Sequence, residues 1–149
     1  MYTLQTYGRI AAEKILLVGM GKVKDFTPNR LRELSAKIIK ECQKMTNAKK
    51  IISVLHGAGI GGYEPEVSAK MITEGVLLGS YSFDKYKTEK KSKKIESFTI
   101  IDMDEENCKK ESIGLKKGKL TANAVNFARD LSNDQPNCVT PAKLAEVAQ

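Results

Sequence analysis

The sequence has no tryptophan, one histidine (His56) and three cysteines (Cys42, Cys108, Cys138) set far apart. No Cys-x-x-Cys occurs, and one histidine leaves almost nothing for a Cys/His zinc site. The odd, scattered thiols read as free cysteines of a reducing compartment, not a disulfide framework. No run approaches the roughly 18 apolar residues of a membrane span. Met1-Tyr2-Thr3-Leu4-Gln5-Thr6 has neither the basic start nor the apolar core of a signal peptide. Asn-x-Ser/Thr sequons and Gly-x-Ser-x-Gly elbows are both missing. These absences set the expectation of a cytoplasmic protein that makes no membrane contact and has no serine-hydrolase nucleophile.

What is present fits one domain. A chain of 149 residues can bury a core without staples. The formal charge is +7, which raises nucleic acid as a partner. The densest basic stretch is Asp84-Lys85-Tyr86-Lys87-Thr88-Glu89-Lys90-Lys91-Ser92-Lys93-Lys94, and a second cluster lies at Lys109, Lys110, Lys116, Lys117 and Lys119. Arginine, the residue of bidentate phosphate and base contacts, is scarce: Arg9, Arg30, Arg32 and Arg129 are the only ones. A lysine-rich surface of this kind reads first as solvation, with DNA binding as the alternative.

Strand-like and helix-like segments alternate along the chain. Ile15-Leu16-Leu17-Val18-Gly19 and Ile51-Ile52-Ser53-Val54-Leu55 are continuous apolar runs that suit covered parallel strands. Ile95 to Ile101 alternates more and suits a strand nearer an edge. Thr27-Pro28 opens a helix with an apolar stripe at Leu31, Leu34, Ile38, Cys42 and Met45. Pro65, flanked by Glu64 and Glu66, opens a second helix through Val67, Met71, Ile72, Gly75 and Leu78. A long helix runs through Leu120, Ala124, Phe127, Ala128 and Leu131 and stops before Pro136; Thr140-Pro141 starts another. Three strand–helix units in series predict an α/β fold with a mostly parallel sheet flanked by helices. The division expected is an α/β domain over 1–132, then a linker and the start of a helix over 133–149.

Candidate chemistry is sparse. Gly57-Ala58-Gly59-Ile60-Gly61-Gly62 contains Gly-x-Gly-x-x-Gly between a strand and a helix, so Gly57, Gly59 and Gly62 are the candidate ligand-binding residues, for a nucleotide or an ADP-ribose-like molecule. The motif follows the second strand rather than the first, and Glu64 and Glu66 put negative charge where a phosphate would sit, which favours a plain glycine-rich turn. Gly19-Met20-Gly21 reads as a turn. His56 ends a strand, with Ser53 three residues back and expected on the opposite face. Asp102-Met103-Asp104-Glu105-Glu106 reads as the acidic first turn of a helix before it reads as a cation site. Tyr81, Phe83 and Tyr86, set among lysines, read as anchors of a helix end. No catalytic residue and no metal ligand is assigned.

Several of these segments together resemble one family. Glu74-Gly75-Val76-Leu77-Leu78-Gly79-Ser80-Tyr81-Ser82-Phe83-Asp84-Lys85-Tyr86-Lys87 resembles the Gly-x-Tyr-x-Phe-Asp-x-Tyr-Lys helix end in the N-terminal domain of the leucyl (cytosol) aminopeptidases. Lys14-Ile15-Leu16-Leu17-Val18-Gly19-Met20-Gly21 is similar to a strand of that domain. So is Ala124-Val125-Asn126-Phe127-Ala128-Arg129-Asp130-Leu131-Ser132-Asn133-Asp134-Gln135-Pro136-Asn137, with Thr140-Pro141 and Leu144-Ala145, to its exit helix and connection. The resemblance implies a macro-domain-like three-layer α/β domain that holds no catalytic group. It also implies a parent exopeptidase with two divalent metals, zinc or manganese, activating a bridging water. In the family the ligands lie in Lys-Gly-x-x-Phe-Asp-Ser-Gly-Gly and Asn-Thr-Asp-Ala-Glu-Gly-Arg segments, and neither occurs in this chain. The partners implied are the catalytic domain and further copies in a hexamer, with a role in assembly and in access to the active site. The match starts near Thr6-Tyr7-Gly8-Arg9, so the domain is expected to lack its first strands.

Overall fold

The computed structural model describes residues 1–45, 47–88 and 95–148. Among the described residues four strands and four α-helices follow one another: β1 (Tyr2–Gln5), β2 (Lys14–Leu17), α1 (Pro28–Lys44), β3 (Lys50–Val54), α2 (Pro65–Gly79), β4 (Ser97–Ile101), α3 (Glu105–Asn133) and α4 (Pro141–Val147). Local chemistry sets the helix starts. Thr27 Oγ1 accepts from the Arg30 amide at 3.2 Å with proline in the first turn, and Thr140 Oγ1 does the same for Lys143. Asp104 caps α3 by accepting from the Glu106 amide at 2.8 Å, and Glu105 and Glu106 fill its first turn. The acidic cluster is therefore a helix start, as its sequence suggests.

The α/β class holds, with its parallel character confined to β3–β4. Those strands pair in parallel, Lys50 opposite Ser97 through Val54 opposite Ile101. The expected first strand behaves differently. β2 pairs antiparallel with β1, Tyr2 opposite Leu17, and among the described residues it bonds to no other strand. The turn between β1 and β2 is tied by Thr6, whose hydroxyl donates to the carbonyls of Ala12 and Glu13 at 2.6 and 3.0 Å.

The core sits between helices. Leu31, Leu34, Ile39 and Cys42 of α1 and Ala69 and Ile72 of α2 are buried. Ile39, one position past the expected Ile38, is the residue of that turn facing inward. Two seams let the helix backbones approach closely. A Cβ on Gly75 would lie 2.7 Å from Ser35 Cβ, and one on Gly118 would lie 2.6 Å from the Lys70 carbonyl. At Gly114 an added Cβ would collide with the Glu66 carbonyl. Close approach is why α3 runs unbroken through two glycines that on propensity alone disfavour a helix interior. On the helix-facing side of β3–β4, Ile51, Ser53, Phe98 and Ile100 are half-buried. On the other, Ile52 and Val54 remain 69% and 64% exposed.

Candidate functional site

The carboxyl end of β3–β4 is where ligand sites form in parallel sheets, and the structure gathers several of the candidate residues there. His56 follows β3. Its Nδ1 lies 3.1 Å from the Val54 carbonyl and 3.4 Å from Ser53 Oγ. Ser53 was expected on the far side, but the strand stops at Val54 and the chain turns, which brings the two together. The serine is not primed by this: its hydroxyl donates to the Val54 carbonyl at 3.0 Å. Burial pushes the His56 pKa down, against a smaller opposing effect of the Val54 carbonyl, so the imidazole stays neutral at pH 7. Its Nε2 is buried without a hydrogen-bond partner.

The glycine-rich segment is packed at its start and turned at its end. Gly57 has φ +101°, and a Cβ there would lie 2.8 Å from Leu31 Cδ2 and 3.0 Å from Ser68 Oγ. Gly59 and Gly62 also adopt positive φ, with open space where a side chain would stand. Glycine at 57 thus answers to α1 and α2 pressing on the loop, and at 59 and 62 to the turn. Glu66, at the amino end of α2, is paired with Lys117 of α3 at 2.6 Å.

Sequence patterning does not single out Ser68 or Glu111. Ser68 is fully buried, with its hydroxyl unpartnered. Glu111 is buried on α3, and burial first, then the Asp102 carboxylate, pushes its pKa up. Asp102 moves the other way, because it accepts from the Asp104 amide at 3.0 Å and interacts with Glu111 and Asn107. Burial and the facing carboxylate thus favour the protonated form of Glu111, the form that can donate to Asp102. A legible signal existed: positions 111, 114, 118 and 122 recur at helical spacing and form the buried line of α3.

A second cluster pins the aromatic segment to the end of α3. The Tyr81 hydroxyl donates to Asp130 at 2.8 Å, and Arg129 lies over its ring. Lys85 pairs with Asp134 at 2.6 Å, and Tyr86 donates to the same carboxylate. Lys85 first and Tyr86 second hold the Asp134 pKa down at about 2. The aromatics anchor the helix end, as expected. Of the basic stretch 84–94, positions 89–94 lie outside the described residues.

Among the described residues, two further open surfaces stand beside the exposed face of β3–β4. A groove of 430 Å³ lies between β4 and the three long helices. On α3, Ile113, Leu120 and Phe127 stand 47%, 75% and 53% exposed along one line. Cys42 is buried, Cys108 and Cys138 are exposed, and all three are unbridged. Among the described residues no three His, Cys, Asp or Glu side chains stand close enough to hold a metal ion, and no helix is long and apolar enough to cross a membrane.

Comparison with known proteins places the chain in a family. Residues 1–90 match the model of the cytosol aminopeptidase family, N-terminal domain. A probable cytosol aminopeptidase of Alkaliphilus oremlandii is 31% identical over 148 residues, covering 97% of this chain but 29% of the relative. One from Campylobacter jejuni is 48% identical over 83 residues, 52% of this chain and 17% of the relative. The chain thus spans under a third of the length of these curated relatives. Among solved structures, the bottromycin maturation enzyme BotP superposes with a TM-score of 0.78 over 97% of this chain and 29% of its own, at 23% identity. That likeness speaks for the fold.

Proposed function

The chain belongs to the cytosol aminopeptidase family as its N-terminal domain, and from that premise we propose that it is the non-catalytic part of a dimetal aminopeptidase. Its role is to seat on the catalytic domain and on neighbouring copies, shaping assembly and access to the active site. The bare line Ile113, Leu120, Phe127 on α3 is the observation that carries this reading. Large apolar residues left in a stripe on a long helix mark a face that another element covers.

The same premise extends to what lies outside these residues. Segment 133–149 serves as the connection towards the catalytic domain, and the two divalent metals, zinc or manganese, belong to that domain. One structural neighbour was solved in complex with Mn. A hexameric parent in the cytoplasm completes the proposal; the relatives carry "cytosol" in their names.

Highly purified chain, supplied with manganese or zinc, is expected to release no p-nitroaniline from leucyl-p-nitroanilide. Metal-dependent release that follows the chain through purification overturns the reading.

A further inference from the structure

The parallel pair leaves one edge of β4 open. β3 occupies the other, and no further strand among the described residues bonds to β4. The 430 Å³ groove borders that open edge. Its lining runs through Ile95 and Glu96, which precede β4, and Ser97, Phe98 and Ile100 of the strand, of which Phe98 and Ile100 share the half-buried face, and no residue of β3 lines it. The groove therefore runs between the helix-facing side of β4 and the helices, on the side of the strand away from β3.

The floor of the groove is apolar. Ile72, Val76 and Leu77 of α2 and Leu115 of α3 contribute to it. The hydroxyls beside them are already committed, Thr73 to the Ala69 carbonyl at 2.7 Å and Ser80 to the Leu77 carbonyl at 3.2 Å. Two charged residues line the groove. Glu96 is paired with Lys49 at 3.3 Å, whereas Lys119 has no ion pair among the described residues.

We propose that the β4 edge and this groove form a docking site for an extended acidic peptide segment of another polypeptide, which joins β4 as an added strand. Each feature specifies one property of the occupant. An open edge offers unpaired backbone donors and acceptors, which only an extended chain satisfies in series. The apolar floor accepts every second side chain of that strand. Lys119 sets a carboxylate at the rim. Net charge points the same way: a chain of +7 attracts a segment of the opposite sign.

The probe is the synthetic peptide acetyl-EVTVTVT-amide, with acetyl-KVTVTVT-amide as control. Amide hydrogen exchange of the chain is read at millimolar peptide. The acidic peptide is expected to slow exchange in β4 by about tenfold and to leave β1–β2 unchanged. The basic control binds about fivefold more weakly, and Lys119→Glu reverses that order. Val76→Trp, which fills the groove, abolishes β4 protection; Lys119→Glu, on the surface, keeps the test open if Val76→Trp does not fold. Absence of β4 protection overturns the site, and equal binding of the two peptides by the parent chain overturns the assigned chemistry. Sedimentation that shows a dimer whose formation itself protects β4 makes a second copy the occupant and overturns it as well.

Discussion

The two sides of α3 are built on opposite principles. Towards α2 it presents Glu111, Gly114, Gly118 and Ala122, all buried, and its backbone lies close against that of α2. Away from α2 it presents Ile113, Leu120 and Phe127, all exposed. Within the chain, the closest approach to α2 is made at residues with no side chain, Gly114 and Gly118. The large apolar residues are kept for something outside it. Read by its largest residues alone, the helix points the wrong way. In this helix small residues mark the finished seam, and bulky ones mark the unfinished surface.

The sharpest way to break that contrast is to put a side chain into the seam. Gly114→Val drives a branched side chain into the Glu66 carbonyl, and neither backbone can retreat without opening the interface. The expected loss is about 3 kcal/mol or more in urea unfolding, the size of severe overpacking. Phe127→Lys, on the opposite side, is expected to stay within about 0.5 kcal/mol of the parent chain. If the two variants lose comparable stability, the two faces are not different in kind.

Glu111 sharpens the comparison, because it is the charged member of the buried side. Its pKa is raised in the folded chain, so its contribution is fully present below the unfolded value of about 4.3 and is lost as pH rises through the folded value. Glutamine keeps a neutral donor towards Asp102 at every pH. Glu111→Gln is therefore expected to match the parent chain near pH 4 and to melt about 3 °C higher at pH 8. A constant difference across that range would mean that no proton is held between Asp102 and Glu111.

How much of this the sequence shows depends on whether the deciding forces are local. Caps are local: Thr27, Asp104 and Thr140 each bond an amide two or three residues on, so the starts of α1, α3 and α4 were legible. The tyrosine anchors were legible too, since Tyr81 and Tyr86 sit where α2 ends. The partners were not. Asp130 and Asp134 lie 49 and 48 residues away and come into reach only once α3 packs. The same holds for β2. Its apolar run fits a parallel strand, yet pairing is set by the neighbour, and Tyr2–Gln5 is the neighbour it has. At the candidate site, the crowding of Gly57 by Leu31 and Ser68 is tertiary, and a glycine motif cannot tell a packed turn from a phosphate cradle.

The smallest expected effect concerns the ion pair at the rim of the seam. Lys117 reaches Glu66 at 2.6 Å, a short distance that suggests a strong bond, but the side chains are 58% and 36% exposed. Water and salt screen such pairs, and holding two long side chains in one geometry costs entropy, so the net gain is about 0.5 kcal/mol. Lys117→Ala is expected to lose no more than that in dilute buffer, and the difference should fade in 1 M salt, where the screening length falls to about 3 Å. The neighbouring Gly118→Ala adds one methyl group 2.6 Å from the Lys70 carbonyl and should cost more, at either salt concentration. Should the lysine variant prove the worse of the two, and salt-sensitive, then charge rather than backbone approach holds α3 to α2, and the contrast between its two faces loses its physical basis.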